Sequence, residues 1–219
     1  MTTLKALEER HSVRNYSERP IPEDIRYLLD RLVEECNEES GLRIRICYDD
    51  PDGFDSRLAH YGKFRNVRNY IILAGYKGDD IDERCGYYGE KIVIKAQQYG
   101  LNTCWTALTF NKNMVKKRLN PQEKLCMVIA LGYGENQGVP HQGKSISDVV
   151  VTRGKMPDWF QRGVEAALLA PTAMNQQKFV IGMRNGEPAI RIKGAGPYTK
   201  VDLGIVRYHF ELASGRKTC

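Results

Sequence analysis

Two short runs, Tyr70-Ile71-Ile72-Leu73-Ala74 and Met127-Val128-Ile129-Ala130-Leu131, are apolar at every position. Each is too short for an ordinary core helix, so each reads as a fully buried strand. The second leaves through a glycine-rich exit, Gly132-Tyr133-Gly134. Strands buried this completely need other elements to cover them, and the sequence supplies helical patterns on both sides. Residues 2–10 form one short pattern. A longer one starts at Ile21-Pro22-Glu23-Asp24, where proline and two acids suit a helix N-terminus. Its apolar positions Ile25, Leu28, Leu29, Leu32, Val33 and Cys36 recur at helical spacing. Residues 81–99 read as a helix stopped by Gly100, residues 157–170 as another opening at Pro157, and residues 201–213 as a closing helix.

Further strand signals are weaker but specific. Leu42-Arg43-Ile44-Arg45-Ile46 alternates at period two, and Pro51-Asp52-Gly53 is a turn. Residues 179–183 and 189–192 flank Asn185-Gly186, a strong hairpin signal. The stretch 135–152 is polar and aperiodic, as an arm or linker would be. Alternation of helices and strands makes the fold α+β or α/β.

With 219 residues the chain can bury a sizeable core. Hydrophobic residues at 42% and charged residues at 27% exclude a disordered or fibrous chain. The net charge of +6 is mild and its signs are interleaved, which suits a solvated surface better than a nucleic-acid groove. Arg65-Asn66-Val67-Arg68-Asn69-Tyr70 is the nearest approach to a basic stripe and is short. Cys36, Cys47, Cys85, Cys104, Cys126 and Cys219, with His11, His60, His141 and His209, show no metal-ligand spacing, so no metal is expected. Most of the cysteines sit in apolar stretches and read as buried thiols in a reducing compartment. A charged start and the lack of a long apolar segment point to the cytoplasm rather than a membrane.

An internal echo runs through the chain. Gly89, Gly100, Thr103 and Cys104 reappear as Gly204, Gly215, Thr218 and Cys219 at the single offset of 115. Four identities also arise by chance, so two pseudo-symmetric halves are an expectation to test.

Three segments carry chemistry. Arg10-His11-Ser12-Val13-Arg14 places two guanidinium groups and a hydroxyl where they can converge on one phosphate. Ala170-Pro171-Thr172-Ala173-Met174-Asn175-Gln176-Gln177 brings amides and a hydroxyl that can read a pyrimidine edge or a row of hydroxyls. In Gly100-Leu101-Asn102-Thr103-Cys104-Trp105-Thr106-Ala107, small residues after Trp105 let backbone N–H groups approach a planar ring. Taken singly, the first is as well a basic surface turn, the second a helix-capping loop and the third a core strand. Lys144, in a polar arm, means nothing by itself.

Together these segments resemble the nitroreductase family. Arg10, Ser12 and Arg14 match its Arg-x-Ser-[Val/Ile]-Arg segment. Pro171-Thr172-Ala173-x-Asn175-x-Gln177 is similar to Pro-Ser-Ala-x-Asn-x-Gln-Pro-Trp, with Lys178-Phe179 where Pro-Trp is usual. Gly100 to Trp105 is similar to Gly-Leu-Gly-Thr-x-Trp, and Leu131-Gly132-Tyr133-Gly134 with Lys144 and Asp148-Val149-Val150 resembles the family's closing strand and arm. The Pro-Thr-Ala segment follows rather than precedes that arm. This order resembles a subgroup of single-chain nitroreductases whose two halves mimic the usual homodimer.

The resemblance implies an α+β fold with a central, mostly antiparallel sheet flanked by helices. It implies residues 1–150 as a first half bearing the phosphate site and 151–219 as a second half completing it. It further implies bound FMN, with Arg10, His11, Ser12, Arg14 and Lys144 on the phosphate and ribityl chain. Thr106, Ala107 and Leu108 would lie against the ring, and Pro171, Thr172, Asn175 and Gln177 would contact it from the other half. The flavin carries the chemistry, so no catalytic side chain is named. Implied partners are NAD(P)H and a nitroaromatic, quinone or similar acceptor, with the chain a monomeric pseudo-dimer or a homodimer. A flavin store or sensor without turnover would share every phosphate contact. A Rossmann enzyme fits less well, because Gly194-Ala195-Gly196 runs into Pro197 with no third glycine in place.

Overall fold

The two apolar runs form the middle of a four-stranded antiparallel sheet. In the computed structural model, which describes residues 1–151 and 154–219, the strands are β1 (Arg45–Cys47), β2 (Asn69–Tyr76), β3 (Asn102–Thr106) and β4 (Glu123–Gly132), in the order β1-β2-β4-β3. Ile71 is paired with Ile129, and Ile129 in turn with Trp105. Alternate side chains feed opposite faces, as the pleat requires. Ile71 and Leu73 of β2 join Met127, Ile129 and Leu131 of β4 in the larger core. Tyr70, Ile72 and Ala74 join Val128 and Ala130 in a second core with Val13, Tyr16, Phe54 and Phe64. Each face therefore has its own apolar cover, which is why these strands show no polar alternation.

Helices α1 (Thr3–Glu9), α2 (Glu23–Ser40), α3 (Arg57–Tyr61), α4 (Ile81–Gln98), α5 (Lys112–Lys116), α6 (Ile146–Val149), α7 (Asp158–Leu168) and α8 (Thr199–Ser214) surround the sheet. A two-stranded hairpin, β5 (Phe179–Arg184) and β6 (Glu187–Ile192), stands apart from it. Asn185 and Gly186 both take positive φ, 53° and 84°, as the tight hairpin turn demands. The α+β fold with an antiparallel sheet is thus as expected.

Two readings need correction. Of the alternating stretch 42–46 only Arg45 and Ile46 are strand, and β1 runs on to Cys47. The side-chain amide of Asn37 on α2 both accepts from Ile44 N–H (2.8 Å) and donates to Ile44 C=O (2.8 Å), so that residue's backbone is committed to the helix. The burial period survives, since Leu42 and Ile44 are buried. The polar stretch after Gly134 is not a loose arm either. It carries α6, capped by Ser145 and Asp148, and Val151 N–H donates to Ile181 C=O (3.0 Å), tying the stretch to the hairpin. Thr152, the last residue of that stretch, lies outside the described residues.

The echoing helices α4 and α8 bring their backbones together at Gly86 and Gly204. A Cβ on Gly204 would lie 2.0 Å from Glu83 O, and one on Gly86 would lie 2.0 Å from Val201 O. Gly89, the echo of Gly204, instead faces Trp105 and Leu73. The first half builds four paired strands and the second a hairpin. Two pseudo-symmetric halves are therefore not confirmed.

Of the cysteines, Cys36, Cys85 and Cys104 are buried, Cys47 and Cys126 partly so, and Cys219 is exposed. Among the described residues no helix is long and apolar enough to cross a membrane. Nor does any group of three or more His, Cys, Asp or Glu among them stand as a metal site.

Candidate functional site

α1 ends at Arg10, whose N–H still donates to Ala6 C=O (3.1 Å). The chain then runs beside β3, where Ser12 bridges to Thr103 and Val13 N–H donates to Thr103 C=O (3.0 Å). This lays Arg10, His11, Ser12 and Arg14 next to the end of β3. Thr106 closes β3 and Ala107 and Leu108 continue past it, with Leu108 68% exposed. From the far end of the sequence, the loop 171–177 after α7 folds over the same place. A cavity of about 610 Å³ lies between them, within the range of small-molecule sites.

Arg10, His11, Ser12, Arg14, Thr106, Ala107 and Leu108 all line this cavity, as do Pro171, Thr172 and Asn175. Lys144 and Gln177 do not. The Lys144 ammonium donates to Gln177 C=O (2.7 Å) and Gln176 C=O (3.3 Å). The Gln177 side-chain oxygen accepts from Lys144 N–H (2.7 Å), and the residue is buried. Both brace the loop from behind. The loop is strained: Met174, Asn175 and Gln177 have φ of 52°, 52° and 43° without being glycine. Such residues persist only where surrounding bonds over-determine them. Those bonds are present, since Asn175 donates to Gln142 C=O (2.8 Å) and Gln177 N–H to Thr172 Oγ1 (3.0 Å).

A buried ionic cluster lies under the cavity. Glu90 of α4 is fully buried and accepts from Trp105 Nε1 (2.8 Å) and from His209 Nε2 of α8 (2.8 Å). Arg10 Nε lies 3.7 Å from the same carboxylate, an ion pair too long for a hydrogen bond, and has no hydrogen-bond partner. His209 Nδ1 faces Ala166 C=O at 3.0 Å, so it must carry hydrogen. Burial alone would raise the Glu90 carboxyl. His209 and Arg10, with the Trp105 N–H, outweigh it and hold the group below its ordinary range. The cluster thus fixes two cavity-lining side chains, Arg10 and Trp105, and joins α4 to α8.

Asp202, in the first turn of α8, faces the cavity from the other side. One oxygen accepts from Ala173 N–H (2.9 Å) and the other from Gln176 Nε2 (2.7 Å). Burial pushes its carboxyl up to about 6, against the lowering by those two donors. On the opposite wall His11 is lowered, by burial first and then by the charge of Arg10.

Sequence reasoning missed Glu90, His209 and Asp202. Asp202 left a trace, a lone acid in the apolar run Val201-Asp202-Leu203-Gly204-Ile205-Val206. Glu90 and His209 left none, because their partners come from distant elements.

The chain is thus an α+β protein with a ligand-sized cavity between residues from both ends of the sequence. The family model described as "Putative TM nitroreductase" matches residues 2–214, and the chain belongs to that nitroreductase family. A crystal structure described as a putative nitroreductase from Thermotoga maritima is similar at TM-score 0.68 and 24% identity, covering 97% of this chain and 83% of that one. One described as a putative NADH dehydrogenase/NAD(P)H nitroreductase from Bacteroides thetaiotaomicron gives 0.55 at 23% identity, covering 67% and 95%. One from Desulfovibrio desulfuricans, described as a putative nitroreductase in complex with FMN, gives 0.53 at 15% identity, covering 72% and 99%. At these identities the likeness is one of fold. No curated protein matches the sequence.

Proposed function

We propose that this chain is an FMN-dependent oxidoreductase that takes hydride from NADH or NADPH and passes it to a small acceptor such as a nitroaromatic or a quinone. The observation that carries the reading is the cavity itself. One wall bears Arg10, Ser12 and Arg14, and the facing wall bears Thr172 and Asn175. The residues fit such a group. Arg10 and Arg14 put two guanidinium groups on the lining of the cavity, which an anionic ligand would pair with.

In this reading Arg10, Ser12 and Arg14 bind the phosphate end, with His11 beside them. The backbone of Thr106, Ala107 and Leu108 lies against the ring, and Pro171, Thr172 and Asn175 close over it. Lys144 and Gln177 act by holding that loop in place. When bound, the flavin supplies hydride acceptance and release at its ring. The protein binds, orients and excludes water. Residues 1–150 provide the phosphate end and 151–219 complete the site, in a cytoplasmic protein. The neighbour crystallised with FMN supports the cofactor assignment at the level of fold.

The test is a visible absorption spectrum of the purified protein, titrated with FMN and then, without oxygen, with NADH or NADPH. Bound flavin bands that bleach support the reading and name the donor. Bound flavin that neither nicotinamide bleaches would favour a store or sensor, and absence of binding would overturn the reading.

A further inference from the structure

Asp202 is the one carboxyl among the residues lining the cavity; the titratable groups around it are otherwise Arg10, His11 and Arg14 from the segment after α1, His141 from the stretch before α6, and Tyr198 from the turn before α8. Among the described residues it forms no ion pair. On α4, packed against the first turns of α8, Glu83 is already paired with Arg207 (2.7 Å). Lys178, just past the loop, is turned to Ala195 C=O. Among the described residues Asp202 is therefore buried without a counter-ion, an arrangement that costs free energy and that clusters at functional sites.

The hydrogen bonds say where its proton can go. Both oxygens accept from donors with no alternative role. Ala173 N–H can only donate, and Gln176 Nε2 is oriented by a second bond to Pro197 C=O (2.8 Å). A proton on Asp202 cannot point at either donor. It must use a remaining lone-pair position, and the open side of the residue is the cavity.

We propose that Asp202 is the proton donor of this cavity, giving its carboxyl proton to the molecule reduced there. The step rests on the reading above, with hydride from the reduced flavin as the reductant. Hydride adds to the acceptor, the electron pair of the bond it attacks moves to the far heteroatom, and the Asp202 O–H bond breaks to protonate that atom. Asp202 is left as carboxylate and regains its proton from water. The loop donors Ala173 and Gln176 stabilise that carboxylate as it forms, without moving. Burial keeps the acid form populated through about pH 6, which suits a donor working near neutrality.

The test has one arm without flavin and one with it. In the protein alone, the Asp202 carboxyl is followed by carbon NMR against pH, with Asp202→Asn identifying its signal. A midpoint well above the ordinary aspartate value is expected, and an ordinary value would overturn the proposal. In the FMN-loaded protein, flavin reduction by nicotinamide and its reoxidation by a quinone are followed separately. The reoxidation rate is expected to fall about tenfold per pH unit above the midpoint. In Asp202→Asn it should be about a hundredfold slower, lose its solvent isotope effect and become flat with pH. If wild-type reoxidation is already flat through the Asp202 midpoint, the proposal falls, even should the variant not fold. Reoxidation with an unchanged pH profile in Asp202→Asn would overturn it equally. Failure to bind FMN would instead strike the reading beneath, and the two failures are told apart by the spectrum.

Discussion

Glu90 shows how one side chain holds a site it does not enter. Its carboxylate gathers Arg10, Trp105 and His209, none of which is near it in sequence. Removing the negative charge leaves the buried Arg10 guanidinium uncompensated, which costs about 3–5 kcal/mol. Glu90→Gln is thus expected to lower stability by that order in urea unfolding. The pH sign follows from the depressed carboxyl: its stabilisation is present above the ordinary value of 4.5 and is lost as pH falls through the lower folded value. The wild type should therefore lose stability steeply in acid, and Glu90→Gln should lose less. Asp202 has the opposite sign. Its raised carboxyl contributes stability below 3.8 that disappears as pH rises through about 6. Arg14, which lines the cavity and lies 5.9 Å from the Phe64 ring centroid, tests the phosphate end. Arg14→Ala is expected to weaken FMN binding by about tenfold or more, the loss of a charge-assisted bond of about 1.5–3 kcal/mol. Fluorescence titration reads it, and an unchanged affinity would remove Arg14 from the phosphate site.

Between elements, the α4–α8 contact is the tightest constraint on the site, because α4 carries Glu90 and α8 carries both Asp202 and His209. Gly204 permits it, and a Cβ there meets backbone rather than a movable side chain. Gly204→Ala is expected to destabilise by at least about 1–3 kcal/mol, measured by denaturant unfolding, and to loosen FMN through the shifted helix. Long elements were legible because their burial is periodic. The helical spacing of Ile25, Leu29 and Val33 gives α2, and Asn185-Gly186 gives the hairpin. α3 and α5 were not legible, since five residues carry too little periodicity to see. β1 was overextended because alternation reports burial, while the amide of Asn37 decides where the backbone bonds go. Ten of the twelve expected site residues line one cavity, whereas Lys144 and Gln177 pair with each other behind it. No local pattern separates a residue facing a cavity from one bracing the loop that does.

At the scale of the whole molecule, the cavity draws its walls from both ends of one chain. Residues 10–14 lie on one side, while residues 171–177 and α8 lie on the other. In a two-chain site these walls would be shared between subunits. Here a single chain is expected to suffice, so sedimentation of the FMN-loaded protein should show flavin travelling with the monomer. Flavin carried by a dimer alone would overturn that expectation.

The same arrangement sets an order of events during synthesis. The arginines leave the ribosome before the loop and α8, and the larger core under β2 and β4 also draws on Val201, Ile205, Val206 and Phe210 of α8. Until then the cavity lacks its second wall, and Glu90 lacks His209. Capture of any ligand there consequently has to wait for the loop and α8, and a chain halted before α8 is expected to hold none.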